Sequence, residues 1–151
     1  MFRGEGTLRF SVVALAGCVL LLAGCQTGTL TGHQQTCRSV GGFLERQEIS
    51  CSGGVGGVNG SPSLGIVEVD DDLDGVYRLD ATITVERGEA RAFVTDAGGE
   101  QVGGELVPGE PLRITATVEP DEDEDVEVAL EVPEGERLEN LSYEAALVAQ
   151  E

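Results

Sequence analysis

The residues best spaced to do chemistry lie in Asp70-Asp71-Asp72-Leu73-Asp74-Gly75. Asp70, Asp72 and Asp74 occupy alternate positions and Gly75 follows, which is how a D-x-D-x-D-G loop starts to crowd hard oxygens around calcium. The glycine permits the sharp bend that such a loop needs. The pattern then departs from an EF-hand. Its twelfth position is Ala81, which offers no bidentate carboxylate, and Asp80 stands one place early on a segment whose alternation turns it outward. The expectation is no required cofactor and at most weak calcium binding, toward roughly 10⁻⁴–10⁻³ M. The plain alternative is a solvated acidic turn. A second block, Asp121-Glu122-Asp123-Glu124-Asp125, is a self-repelling run whose adjacent carboxylates define no coordination geometry.

Catalytic constellations are sparse. The chain has no Lys, and His33 is its single histidine, so no base stands ready for a Ser-His pair. The many acids offer carboxylate pairs for glycoside chemistry, but Trp, the best stacking surface for a sugar, is absent. Gly53-Gly54-Val55-Gly56-Gly57 has neither the spacing nor the lysine of a phosphate-binding loop. The sequence therefore points away from an enzyme. The charge balance is lopsided: 28 acids face 9 basic residues, all arginine, for a net charge of −19. Such a surface repels phosphates, which excludes nucleic acid as a partner.

The N-terminus carries an address. Arg3 and Arg9 precede an almost wholly apolar run from Phe10 to Leu22, and small residues and a cysteine follow. This is the layout of a secretory signal. The run of 13 residues falls short of the roughly 20 that a membrane-spanning helix needs. Leu22-Ala23-Gly24-Cys25 resembles the lipobox of bacterial lipoproteins. That likeness implies a diacylglycerol on the Cys25 thiol and cleavage just before it. Leu15-Ala16-Gly17-Cys18 fits the same pattern, but cutting there leaves Val19 to Leu22 as a greasy start, so Cys25 is favoured. The implied location is the cell envelope, outside the cytoplasm, with the membrane as a partner through the acyl chains. With Cys18 removed and Cys25 acylated, Cys37 and Cys51 remain, an even pair in an oxidising compartment, and a disulfide is expected.

The elements that must position these residues are strands. From Tyr77 to Glu86 apolar and polar residues alternate without error, placing Tyr77, Leu79, Ala81, Ile83 and Val85 on one face. Ala90, Ala92 and Val94 continue inward after the Arg87-Gly88 turn. Leu112 to Val118 and Val126 to Val132 repeat the pattern, and Leu141, Tyr143, Ala145 and Leu147 share a face. Tyr143 to Ala149 also contains good helix formers, so a helix is the competing reading there. A first strand is expected around Phe43 to Ser50, and a Gly/Ser loop over Ser52 to Ser63.

This rhythm predicts an all-β fold, a small antiparallel two-sheet sandwich. It loosely resembles bacterial immunoglobulin-like domains, which implies an immunoglobulin-like or related sandwich. The expected organisation is a signal peptide over 1–24 (a signal helix), a lipidated flexible tether over 25–36 and the acidic sandwich over 37–151. The leading functional expectation is a lipid-anchored module with a structural or protein-binding role at the envelope, its protein partner unspecified. A calcium-dependent adhesion or sensing domain stands second, and an envelope hydrolase last.

Overall fold

The alternation from Tyr77 to Arg87 forms one strand whose inward side chains are all buried, with Leu79 and Ile83 fully so. In this computed structural model, which describes residues 28–41, 47–68, 75–120 and 125–150, that strand lies inside the larger of two sheets. The strands are β1 (Gly28–Thr31), β2 (Gln34–Val40), β3 (Glu48–Gly60), β4 (Ser63–Glu68) and β5 (Tyr77–Arg87). They continue with β6 (Ala90–Thr95), β7 (Gln101–Leu106), β8 (Leu112–Val118), β9 (Asp125–Glu131) and β10 (Leu138–Ala149).

The larger sheet runs β3-β10-β5-β8, with β1 and β2 both paired to the outer edge of β3, and the smaller sheet runs β4-β9-β6-β7. All pairs are antiparallel. The fold is thus the expected all-β, two-sheet sandwich. Its eight strands β3 to β10 are ordered as in a jelly roll, a sandwich of two Greek keys. Alternation and turn spacing do not separate this order from an immunoglobulin-like one, and the pairing does. The core fills the space between the sheets with Val, Leu, Ile and Ala, among them Ile49, Leu64, Leu79, Ile114, Leu130 and Leu147 at no more than 1% exposure. Each such side chain contributes about 2 kcal/mol by leaving water.

Three expectations need correction. The tether is the first: Gly28 to Thr36 lie in or between β1 and β2. Gly28↔Gly60, Thr31↔Gly57, Gln34↔Gly54 and Val40↔Glu48 share one register, so β1 and β2 form a single edge strand interrupted at Gly32 and His33. This strand is held by backbone pairing and buries little, since only Leu30 and Cys37 pack partly against the core. No apolar period marked it for that reason. The second is the Gly/Ser loop: β3 runs on through Gly60, and only Ser61 and Pro62 intervene before β4. Partners on both sides of β3 supply the order that its glycines lack. The third is the strand expected first, around Phe43 to Ser50: it is β3, preceded by β1 and β2, and it begins at Glu48, while Phe43 lies outside the described residues. At the C-terminal segment the strand reading holds and the helix alternative falls, because β10 is central, paired along its length with β3 and β5.

The connections segregate to two ends. The turns after β3, β5 and β9 cluster beside Gly28: Val132 donates to the Gly60 carbonyl at 3.0 Å, and Gly88 packs against the Arg137 carbonyl. Gly88 has φ 87°, a conformation that a side chain at that crowded site would strain. At the other end Val40 pairs with Glu48, Glu68 with Asp125, and Tyr77 with Val118.

Candidate functional site

After Glu48 at its start, the outward positions of β3 are Ser50, Ser52, Gly54 and Gly56, all small, while its neighbours carry taller side chains. Alternation therefore cuts a trough into the outer face of the larger sheet, running along the strands. Three adjoining depressions of about 560, 500 and 560 Å³ make it up. Registered rows of residues cross it. One row is Gln34, Gly54, Ser142 and Thr84, and the next is Thr36, Ser52, Glu144, Thr82 and Arg113. A third is Arg38, Ser50, Ala146, Asp80 and Thr115.

The lining is held by short polar contacts. Thr84 Oγ1 and Ser142 Oγ lie 2.6 Å apart. Thr115 Oγ1 donates to Asp80 Oδ1 at 2.9 Å, and Arg78 Nε meets Asp80 Oδ2 at 3.0 Å. Near the Gly28 end, Asn140 donates to Glu86 Oε2 at 2.7 Å. Asn140 has φ 52°, which asparagine tolerates better than most side chains. The Arg78–Asp80 pair is about half exposed, so it positions side chains more than it stabilises the fold. Chemically the trough offers hydroxyls, amides such as those of Gln34 and Asn140, and the carboxylates of Asp80, Glu86 and Glu144, with arginines at its margins. That set suits hydrogen bonding to a polar chain rather than bond making.

A second cluster joins the edge strand to the core. The Tyr143 hydroxyl lies 3.0 Å from His33 Nε2 and donates to the Gly65 carbonyl at 3.4 Å. Gln35 Nε2 donates to the same carbonyl at 3.4 Å. Tyr143 is buried, and loss of water pushes its hydroxyl up to about 12, opposed by the hydrogen bond from Gln35 and reinforced by the charge of Glu68. Gly53 makes this possible. A Cβ there would collide with the Tyr143 hydroxyl and the Gln34 carbonyl. His33, expected in a flexible tether, is instead seated between β1 and β2.

Cys37 and Cys51 form the expected disulfide, directly opposite one another on β2 and β3 with Cα atoms 4.1 Å apart. The remaining sequence-predicted sites lie outside the described residues: Cys25 with the signal segment, and Asp70, Asp72 and Asp74. Among the described residues, no group of three or more His, Cys, Asp or Glu is arranged to hold a metal ion. The trough was missed by motif reading. Its one sequence signal is that the polar half of the alternation is Thr-rich, Thr82 and Thr84 on β5 and Thr115 and Thr117 on β8.

No protein-family model matches the chain, and no curated protein matches it in sequence. Among solved structures it is similar to the recombinant pro-11S globulin of pumpkin, with TM-score 0.35 and 13% identity over 75% of this chain and 25% of that one. Procruciferin, the 11S globulin of Brassica napus, gives TM-score 0.34 and 16% identity over 66% of this chain and 20% of that one. The family 11 carbohydrate-binding module of a Clostridium thermocellum cellulosomal cellulase gives TM-score 0.31 and 13% identity over 85% of this chain and 91% of that one. The chain thus spans a fifth to a quarter of the globulins it matches. At these scores and identities the likenesses assign this chain neither ligand nor activity.

Proposed function

We propose that this chain is an exported binding module, anchored at the cell envelope through acylated Cys25, that holds an extended segment of a partner protein in the trough of its larger sheet. The trough is the observation that carries the reading. It is a polar groove seven residues long on β3, from Ser50 to Gly56, or roughly 20 Å at strand rise. Its donors and acceptors, Gln34, Thr36, Ser52, Thr82, Ser142 and Glu144, match the alternating amides and carbonyls of an extended chain. Both tyrosines point inward, so the groove presents no ring face to a sugar. The anchor is supported by the lipobox, and export by the Cys37–Cys51 disulfide, which suits an oxidising compartment.

The test is site-specific photocrosslinking in intact cells. A crosslinking residue at Thr82, in the trough, is expected to give a discrete, protease-sensitive adduct in the membrane fraction. The same residue at Glu127, on the outer face of the smaller sheet, is expected to give none, and Ser52→Arg should abolish the Thr82 adduct. Equal adducts at both positions, or a Thr82 adduct indifferent to Ser52→Arg, would remove the trough as the binding face. In parallel, Cys25→Ala should abolish lipid labelling of the protein and Cys18→Ala should not.

A further inference from the structure

We infer that the anchor also fixes which way the sandwich points. The end carrying Gly28, the Ser61-Pro62 turn, Gly88 and Pro133 to Arg137 faces the lipid headgroups, and the end where β2, β4, β6 and β8 finish faces away. This rests on acylation at Cys25.

The argument is one of lengths. Only Cys25, Gln26 and Thr27 stand between the acyl chains and the first residue of β1. Three extended residues reach about 10 Å. The strand β5 has 11 residues, about 36 Å at strand rise. To invert the sandwich, the link to Gly28 would have to span that length, and it is several times too short. There is no slack on the domain side either. Gly28 is paired with Gly60 and lies against Pro62, and the edge strand is stapled to β3 at Cys37.

Attraction to lipid is not what orients the domain. The described turns at the Gly28 end carry Arg87 and Arg137 beside Glu89, Glu110, Glu134 and Glu136, a balance that favours neither insertion nor adhesion to anionic headgroups. With a net charge of −19 on the chain, an anionic surface pushes the flanks away, so the sandwich stands on its tethered end. The trough, which follows the strands, then runs away from the membrane and opens sideways to neighbouring proteins.

The test uses the acylated protein in vesicles of zwitterionic lipid and in vesicles with about one-fifth anionic lipid. A donor dye is placed on a non-cysteine handle at Glu134, near Gly28, or at Ala97, at the opposite end. Acceptors sit on the headgroups. Flotation with the vesicles is read first. Energy transfer is expected to be several-fold stronger from Glu134 than from Ala97 in both compositions. A Gly/Ser spacer of about 20 residues between Thr27 and Gly28, with a coil reach of about 25 Å, should bring the two values together. A Cys25→Ala protein made without residues 1–24 should not float. Wild-type protein that fails to float overturns the anchor and this inference with it. Floating protein with equal transfer, or with stronger transfer from Ala97, overturns the orientation alone. If the Cys25→Ala protein without residues 1–24 floats, headgroup affinity is shown and the chain-length cause is overturned.

Discussion

Two strands of the larger sheet are built on opposite principles. The strand β5 alternates apolar and polar residues without a fault, and its inward half is buried between the sheets. The edge strand formed by β1 and β2 has no such stripe, yet it pairs with β3 in one register on both sides of its break at Gly32 and His33. Apolar transfer holds the first. Backbone hydrogen bonds, one disulfide and the Tyr143 cluster hold the second. Period in a sequence reports which residues face a core. It is silent about strands recruited to an edge after the core is full.

The comparison breaks most directly at the centre of β5. Ile83 is fully buried, and Ile83→Ala is expected to cost about 4 kcal/mol, a transfer loss plus a cavity. Thr29→Ala on β1 should cost less than about 0.5 kcal/mol. Urea midpoints of the two variants, at unchanged slope, check this. Similar losses would mean that the edge strand belongs to the core after all.

Removing the staple is expected to have the next largest effect. The bridge closes a loop with a sequence separation of 14, so the Cys37→Ser/Cys51→Ser protein should lose about 3 kcal/mol by loop entropy. Amide hydrogen exchange should show the loss unevenly. Residues 28–40 should lose protection, and β5 and β10 should keep most of theirs. Uniform loss across the sheet would show that the edge is not a separable layer.

The smallest effect sharpens the link between the two regions. Tyr143→Phe removes contacts to His33 and to the Gly65 carbonyl and is expected to cost about 1 kcal/mol near neutrality. Its pH dependence carries the sign. Because the folded-state value is pushed up to about 12 from an ordinary value near 10, the neutral hydroxyl is favoured in the fold. Its contribution is complete below about pH 10 and is lost as the pH climbs toward 12. Melting temperatures of wild type should therefore fall toward those of Tyr143→Phe over that range. Parallel curves would mean that Tyr143 ionises as freely in the fold as in the unfolded chain.

How much was legible follows the same divide. The strands β5, β8 and β9 could be drawn from their alternation, as could the turn at Gly88, because each buries one face. The jelly-roll order could not, since alternation assigns a face and never a partner. Gly53 to Gly57 look like loop in sequence because glycine has no side chain to reveal a face. In the fold, Gly53 leaves room for a tyrosine and Gly54 and Gly56 floor a trough. The disulfide was legible once Cys25 was set apart. The trough was not, because an outward threonine on an isolated strand looks the same whether it lines a groove or a flat surface.

The shared register of β1 and β2 has a mechanical consequence. Under the proposed acylation of Cys25, a pull on the domain would enter the sandwich at Gly28. Along the strand axis it shears the rungs between Gly28 and Cys37 together, whereas across the axis it opens them one at a time. In either direction the nine residues from Gly28 to Thr36 are all that can pay out before the Cys37–Cys51 bond takes the strain. Peeled across the axis they reach about 30 Å, whereas along it they add little, because a strand is already extended. The edge strand is thus a link of fixed length: once it is drawn out, the load passes through the disulfide into β3 at Cys51.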